Sequence, residues 1–261
     1  MDVTGIGAVV TGAGNGIGAA IARRLAAAGA RVVVNDLDAN AASAVAAEIG
    51  GVAVPGDAAS EAGVTALIAE AAAHLNGIDL YVANAGVGVG GGPEAPESDW
   101  DLAWQVNVMA HVRAARELLP AWLERGRGTF VTTVSAAGLL TMLGSAPYSV
   151  TKHAALAFGE WMSATYGDRG VTVQCVCPLG VHTNLLEGSG REGKAILAGD
   201  AITPEEVADA VMEGLADGRF LILPHPQVAG FYAARAADPD RWLTGMRRLQ
   251  AKVFDNEGTH E

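Results

Sequence analysis

Short runs of β-branched residues alternate with Ala-rich helical stretches along most of this 261-residue chain. Residues 6–11 (Ile-Gly-Ala-Val-Val-Thr) have the pattern of a strand buried on both faces, and residues 16–28 form a helical pattern that Gly29 ends. Further strands are predicted at 31–35, 52–54, 79–83, 128–134, 171–176 and 219–223, and helices at 38–49, 60–75, 99–124, 147–167 and 204–216. Such alternation requires right-handed crossover connections, so it predicts an α/β fold with a parallel sheet and helices on both faces.

No linker or shift in composition divides the chain, so we expect one dinucleotide-binding catalytic domain over residues 1–261. Residues 184–201 are Gly-rich and are predicted to be a mobile lid over the substrate. Pro224 and Pro226 end the last strand, and residues 225–261 then form a C-terminal helical extension. This extension either packs on its own subunit, or forms a subunit contact or a wall of the substrate pocket.

Composition excludes several classes of protein. The formal net charge is −12 and the basic residues are scattered, which argues against binding to nucleic acid. No apolar stretch approaches the roughly 18 residues of a membrane span, and Met1 to Gly7 lack the pattern of a secretory signal. The two cysteines, Cys175 and Cys177, have too few potential ligands nearby for a metal site. We therefore expect buried reduced thiols, no metal and a cytoplasmic location.

A glycine-rich turn joins the first strand to the first helix. It has the sequence Thr-Gly-Ala-Gly-Asn-Gly-Ile-Gly at residues 11–18. Glycine permits positive φ and a close approach of the backbone to a pyrophosphate, and the following helix directs free N–H groups at the phosphates. The turn therefore predicts a dinucleotide site, with cofactor contacts from Gly12, Asn15, Gly16, Ile17 and Gly18.

Acidic and small residues follow the next three strands. Asp36 can accept hydrogen bonds from the adenosine ribose and would repel a 2′-phosphate, and the turn lacks Arg and Lys, so NAD is favoured over NADP. Asp57 either bonds the adenine amino group or serves as a turn or capping residue. The other cofactor contacts predicted here are Leu37, Ala58, Asn84, Ala85 and Gly86.

Tyr148 and Lys152 are four residues apart at the start of a predicted helix, so their side chains share one face. The pKa of a free tyrosine is about 10, and a nearby ammonium, together with a positive nicotinamide ring, lowers it toward neutrality. Ser135 ends the preceding strand, where its hydroxyl can bond a substrate oxygen. Taken alone, a Tyr and a Lys at this spacing are usually only a surface pair.

Together with the other motifs, Tyr148 and Lys152 are more than a surface pair, because the sequence resembles the short-chain dehydrogenase/reductase family over nearly its whole length. The matching residues occur in family order: Thr11-Gly12-x-x-x-Gly16-x-Gly18, Asp57, Asn84-Ala85-Gly86, Asn107, Ser135 and Tyr148-x-x-x-Lys152. The resemblance implies a Rossmann-type sheet of about seven parallel strands in the doubly wound arrangement. It also implies a homotetramer or homodimer, for which Trp104, Val108, Leu118 and Trp122 are candidate contacts but equally candidate core residues.

The resemblance also implies a role for each site residue. Tyr148 is the general acid/base, and Lys152 lowers its pKa and holds the nicotinamide ribose. Ser135 positions the substrate oxygen, and Asn107 helps to hold a water that relays protons from Lys152. Pro178, Gly180, Val181 and Thr183 match the family loop beside the nicotinamide, but Leu179 stands where many relatives have glycine. The local backbone is therefore in question, and Leu179 is a candidate substrate contact.

The loops that contact substrate in this family are mostly apolar here. The candidate residues are Val87, Leu139, Leu140, Met142, Leu179, His182 and Leu185. We expect an NAD-dependent alcohol dehydrogenase or carbonyl reductase acting on a hydrophobic secondary alcohol or ketone that is aromatic, alicyclic or steroid-like. His182 either bonds a distal polar group or is a surface residue. The alternatives are a ketoacyl-thioester reductase of the same family and a non-catalytic NAD-binding regulator.

Overall fold

The computed structural model describes residues 1–254, in which seven strands form one parallel sheet in the order β3-β2-β1-β4-β5-β6-β7. The strands are β1 (Gly7–Val10), β2 (Arg31–Val34), β3 (Val52–Ala53), β4 (Leu80–Ala83), β5 (Gly128–Thr133), β6 (Val171–Val176) and β7 (Leu221–Ile222). The predicted doubly wound, Rossmann-type sheet is confirmed. The last strand is shorter than predicted, because only Leu221 and Ile222 pair with β6.

Helices cover both faces of the sheet. They are α1 (Gly16–Ala27), α2 (Ala39–Ile49), α3 (Glu61–Leu75), α4 (Glu97–Trp104), α5 (Ala110–Arg125), α6 (Ala146–Tyr166), α7 (Asn184–Glu187), α8 (Gly190–Leu197), α9 (Pro204–Asp217), α10 (Gln227–Ala237) and α11 (Pro239–Phe254). Side chains of β1 alternate between the faces: Ala8 and Val10 pack with α1, α2 and α9, whereas Val9 packs with α3 and α5. This alternation buries the sheet on both sides.

One predicted helix differs from the structure, and the segment predicted as a lid is largely helical. The single helix expected at 99–124 is interrupted by a π-helical turn, Gln105–Met109, between α4 and α5. Residues 184–201, expected as a Gly-rich lid, form α7, α8 and the 3₁₀ turn Ala198–Asp200. Single π-helical turns occur inside otherwise continuous helices, and no signal used in the sequence analysis marks this one.

The candidate interface residues divide between core and surface. Val108, Leu118 and Trp122 are buried, whereas Trp104 is 42% exposed. Cys175 and Cys177 are buried free thiols, as predicted. The C-terminal extension continues as α10 and α11 up to Phe254, and residues 255–261 lie outside the described residues. Within the described chain, no helix is long and apolar enough to cross a membrane.

Candidate active site

A cavity of about 610 Å³ opens at the carboxyl ends of the central strands. Its walls come from the turn after β1 and from the loops that follow β2, β3, β4, β5 and β6. The chain reverses its winding between β1 and β4, and the crevice at such a switch point is where doubly wound sheets bind ligands. The topology therefore brings residues that are distant in sequence to one site.

The glycine-rich turn forms one end of this cavity. Gly12 has φ +59°, and a Cβ there would lie 2.9 Å from the Ala85 Cα. A Cβ on Gly18 would lie 2.3 Å from the Gly12 carbonyl oxygen, so Gly18 acts in packing the turn rather than in lining the cavity. Asn84 Nδ2 donates to the carbonyl oxygens of Thr11 and Gly12, at 3.0 and 3.1 Å. The turn is thereby fastened to the end of β4.

Two carboxylates line the same end. Asp36 accepts hydrogen bonds from the backbone N–H groups of Gly14 and Asp38, at 2.9 and 3.0 Å. Asp57 accepts from the N–H groups of Ala59 and Ser60, at 2.8 and 3.2 Å, as a turn residue before α3 does. Burial raises the pKa of Asp57, but these hydrogen bonds outweigh it and hold the pKa below its usual value. Asp57 thus has the turn role, and it also faces the cavity.

The other end of the cavity holds Tyr148 and Lys152, on the first turns of α6. Lys152 is 3% exposed, and its Nζ lies 5.6 Å from the centroid of the Tyr148 ring and donates to the Thr133 carbonyl oxygen at 2.9 Å. Burial lowers the pKa of Lys152 to about 8. Burial raises the pKa of Tyr148, and a hydrogen bond with Ser135 opposes that rise. The residues of the chain alone therefore do not produce the predicted lowering of the tyrosine pKa.

Ser135 has an unusual backbone conformation. Its φ of +115° and ψ of 152° lie in a region that is essentially restricted to glycine. The conformation turns the chain sharply after β5 and places Ser135 at the cavity wall. The Ala137 N–H donates to the Ser135 Oγ at 3.1 Å. A strained non-glycine residue of this kind is typical of functional sites, where surrounding structure holds it in place.

Asn107 lies behind the cavity rather than on its wall. It sits in the π-helical turn and is fully buried. Its Oδ1 accepts from the Val87 N–H at 3.0 Å, and its Nδ2 donates to the Val87 carbonyl at 3.0 Å and to the Thr151 hydroxyl at 3.2 Å. A Cβ on Gly86 would lie 3.3 Å from the Asn107 Oδ1 and 3.4 Å from the Lys152 Nζ. Asn107 therefore holds the loop after β4 in place, close to Lys152.

The structure brings most of the predicted cofactor and substrate residues to this cavity, and it places two predicted substrate contacts away from it. The residues that line it include Asn15, Gly16, Ile17, Leu37, Ala58, Ala85, Gly86, Pro178, Gly180, Val181, Thr183, Val87, Leu140, Met142, Leu179 and Leu185. Leu139 does not line the cavity, because it is 1% exposed and packs into the core beside α6. His182 is exposed and lies outside the cavity, because its backbone pairs with Ile202.

The lining residues that were not predicted as substrate contacts include Leu102, Val106, Ile196 and Phe254. Leu102 and Val106 are four residues apart on the helical segment that carries Asn107, and this spacing is a signal that the sequence does contain. Ile196 belongs to α8, in the segment predicted to be a lid. Phe254 comes from the end of α11, and one of the two possibilities left open for the extension was a wall of the pocket.

Known proteins resemble this chain over most of its length. The family model for short chain dehydrogenases matches residues 7–193. The 1-deoxy-11-beta-hydroxypentalenate dehydrogenase of Streptomyces exfoliatus is 38% identical over 82% of this chain and 81% of its own, and the meso-2,3-butanediol dehydrogenase of Serratia marcescens is 37% identical over 80% and 86%. A short chain dehydrogenase/reductase from Burkholderia phymatum, solved with NAD, superposes with a TM-score of 0.86 at 27% identity and covers 92% of this chain and 96% of its own.

The chain therefore belongs to the short-chain dehydrogenase family. It is an oxidoreductase of that family, as the sequence predicted.

Proposed function

We propose that this protein oxidises a hydrophobic secondary alcohol to its ketone, or reduces the ketone, with NAD as the hydride carrier. The observation that carries the proposal is the convergence of Ser135, Tyr148 and Lys152 on one end of a cavity whose other end is the glycine-rich turn. A proton donor and acceptor, a hydroxyl and a buried ammonium thus lie beside the place that the fold provides for a dinucleotide.

The chain's residues fit NAD. Gly16, at φ +53°, and Thr183 both line the cavity, and a Cβ on Gly16 would lie 3.2 Å from the Thr183 Cγ2. Glycine at this position keeps the approach to the N-terminus of α1 open for a pyrophosphate. At the adenosine end, Asp36 offers carboxylate oxygens to ribose hydroxyls and repels a 2′-phosphate. Pro178, Gly180, Val181 and Thr183 would contact the nicotinamide.

When bound, NAD supplies a hydride acceptor beside the substrate carbon. Tyr148 takes the proton of the alcohol oxygen during oxidation and returns it during reduction. The Ser135 hydroxyl donates a hydrogen bond to that oxygen and stabilises the charge that develops there. Within the described chain, one N–H of the Lys152 ammonium goes to the Thr133 carbonyl, which leaves two for the nicotinamide ribose. Its positive charge favours the tyrosinate.

The apolar lining supports a hydrophobic substrate. Beside the catalytic residues the wall is formed by Val87, Leu102, Val106, Leu140, Met142, Leu179, Leu185, Ile196 and Phe254. A ketoacyl-thioester reductase is the less suitable alternative, because it needs cations for its carrier and usually prefers NADP. Among the described residues that line the cavity, Lys152 is the only Lys or Arg. A non-catalytic regulator would have no need of the strained Ser135 or of the buried Lys152.

We also propose that residues 184–201 close over the substrate and that the chain, one catalytic domain, assembles as a homotetramer or homodimer.

Replacing Tyr148 by Phe tests the reaction. The variant keeps the ring that packs in the cavity and loses the hydroxyl, so turnover should fall by at least about a hundredfold, as expected for loss of a general acid/base. Formation of NADH from a panel of aromatic, alicyclic and steroid alcohols gives the rate, and NADP in place of NAD tests the role of Asp36. Binding of NADH, followed by its fluorescence, should be unchanged. An undiminished rate in the variant would refute the assignment.

A further inference from the structure

A buried histidine beyond the proposed catalytic residues joins the loops of the site. His225 follows β7 and precedes α10, and it is 2% exposed. The Leu179 N–H donates to its Nδ1 at 3.1 Å, and its Nε2 lies 3.1 Å from the Asp200 carbonyl oxygen. Both ring nitrogens therefore have backbone partners, and the partners belong to two different segments of the cavity wall.

These contacts define the protonation of the ring. Because the Leu179 N–H is a donor, Nδ1 must accept and carries no proton. Because a carbonyl oxygen is an acceptor, Nε2 must carry the proton and donate. The neutral Nε2–H tautomer is the form of His225 that satisfies both partners. Neither Leu nor Phe at this position supplies an acceptor and a donor on opposite sides of a flat side chain.

The two partners lie at the base of the segment proposed to close over the substrate. Residues 184–200 leave the loop after β6 at Thr183 and return to it at Ile202. The Ile202 N–H donates to the Gly180 carbonyl at 3.1 Å, and the His182 N–H donates to the Ile202 carbonyl at 2.9 Å. A Cβ on Gly180 would lie 2.1 Å from the Leu197 carbonyl oxygen, so the loop after β6 and the end of α8 are in close contact.

Leu179 is also where the chain departs from the usual glycine of its family. Leu179 lines the cavity and packs against the core cluster that includes Val228, and its N–H donates to His225. The hydrogen bond therefore fixes the backbone of a residue that forms part of the cavity wall. The same imidazole fixes Asp200, at the far end of the segment that contributes Leu185 and Ile196 to the wall.

We infer that His225 is a positioning residue for substrate binding: it fastens Leu179 to Asp200, so that both sides of the apolar substrate wall keep one relative position. The inference rests on the proposed function for the identity of the substrate. His225 does not line the cavity, so it acts through Leu179 and Asp200 rather than by contact. The glycine-rich turn and Asp36 lie at the opposite end of the cavity and have no part in this clamp.

Three substitutions separate the two hydrogen bonds. His225→Phe keeps a flat ring and loses both, His225→Asn keeps an acceptor near the position of Nδ1, and His225→Gln keeps a donor near the position of Nε2. For the best alcohol in the panel, KM in His225→Phe should rise about tenfold, which corresponds to about 1.4 kcal/mol. Its kcat should change less than about twofold, because Tyr148, Lys152 and Ser135 are unaltered. The Asn and Gln variants should recover part of the KM.

A second readout needs no turnover. Hydrogen exchange of the amides at 179–202 should be faster in His225→Phe than in the wild type, while exchange in α1 and the Kd of NADH stay unchanged. His74→Phe, at an exposed position near the end of α3, is the matched control and should alter none of these quantities.

The outcomes distinguish the two proposals. If the wild-type protein oxidises no alcohol of the panel, the proposed function fails, and exchange at 179–202 still tests the clamp. If exchange and KM are the same in His225→Phe as in the wild type, the positioning role is wrong. Equal KM values in the Phe, Asn and Gln variants, with equal losses of melting temperature, would assign His225 to stability alone and overturn the inference.

Discussion

At the scale of single residues, Ser135 combines strain with a place at the proposed reaction centre. Its φ of +115° costs about 1–3 kcal/mol for a residue with a side chain. Glycine adopts this conformation freely and would remove the strain, but it would also remove the hydroxyl. Serine is therefore explained by its chemistry, because the backbone alone would favour glycine.

Ser135→Gly and Ser135→Ala should separate the strain from the chemistry. Both variants lose the hydrogen bond to the Ala137 N–H, so their difference reflects the backbone. Ser135→Gly should be more stable than Ser135→Ala by about 1 kcal/mol, after the greater entropy of unfolded glycine is counted. Both should lose turnover by at least about a hundredfold. Urea unfolding measures the stabilities, and a glycine variant less stable than the alanine variant would contradict the strain.

Lys152 makes stability depend on pH. Burial lowers its pKa from 10.5 to about 8, so between these values the unfolded chain binds a proton that the folded chain does not. Stability from this group therefore rises with pH across that window, by about 1.4 kcal/mol per pH unit. Lys152→Met removes the titration and keeps the side-chain volume. We expect the difference in free energy of unfolding, wild type minus variant, to increase by up to about 3 kcal/mol between pH 8 and pH 10.5.

Urea unfolding of both proteins at several pH values gives this difference. The comparison with Lys152→Met matters because other buried groups oppose the trend: burial also raises the pKa values of Cys175 and Cys177. These thiols contribute equally to both proteins and cancel in the difference. A difference that stays constant with pH would show that Lys152 keeps its ordinary pKa in the folded chain.

At the scale of elements, the sequence predicted the order of strands and helices and missed a local irregularity. The hydrophobic periodicity and the turn residues identify β1 and α1, because the formation of each element depends mainly on residues that are neighbours in the chain. The π-helical turn at 105–109 interrupts a stretch that was predicted to be one helix. Asn107 lies in that turn, where it is hydrogen-bonded to Val87. The sequence therefore predicted Asn107 as a site residue but not the backbone irregularity that positions it.

Helix α11 illustrates what sequence pattern leaves open. The pattern predicts helix over 227–254, but an amphipathic helix carries no information about which surface it contacts. In the structure Trp242 packs against the cluster that includes Leu140, and Phe254 reaches the cavity. A Cβ on Gly144 would lie 2.8 Å from the Phe254 ring, so glycine at 144 makes room for it. The C-terminal helix thus contributes Phe254 to the cavity wall.

Phe254→Ala should therefore change the choice of substrate. Removing the ring opens the cavity beside Gly144, so kcat/KM should fall about tenfold for small alcohols that lose its contact, and less or not at all for bulky ones. Phe254 lies at the end of an exposed helix, so the melting temperature should change little. Leu243→Ala, on the exposed face of the same helix, is the control. Equal changes for small and bulky substrates would exclude Phe254 from the wall.

At the scale of the whole molecule, the site exists because the sheet reverses its winding between β1 and β4. The sequence predicted that reversal only through its resemblance to a family, because alternation of strands and helices does not determine strand order. Contacts between remote segments, such as His225 with Leu179 and Phe254 with Gly144, depend on that order. Local sequence pattern therefore could not predict these contacts. It could predict the glycine-rich turn and the Tyr148-x-x-x-Lys152 pair, because each of these lies within one short stretch of chain.

The surface of the chain also predicts assembly. Trp104 on α4 and Val150 and Trp161 on α6 are 42%, 48% and 54% exposed, and the two helices pack against each other. Trp161 stacks on Phe158 with ring centroids 6.4 Å apart, which extends the apolar surface of α6. Exposed aromatic residues grouped in this way are typical of a surface that is covered by another subunit.

We expect the purified protein to elute as a dimer or tetramer from a sizing column, and Trp161→Glu to shift it toward the monomer. A charge at this position would be desolvated in the interface without a partner, which costs several kcal/mol per site and is counted twice across a two-fold axis. Leu243→Glu, at a residue 51% exposed on α11, is the matched control and should leave the elution volume unchanged. A monomeric wild type would refute the predicted assembly. A shift caused by Leu243→Glu but not by Trp161→Glu would place the assembly surface elsewhere, because the charge would then be harmless on α6.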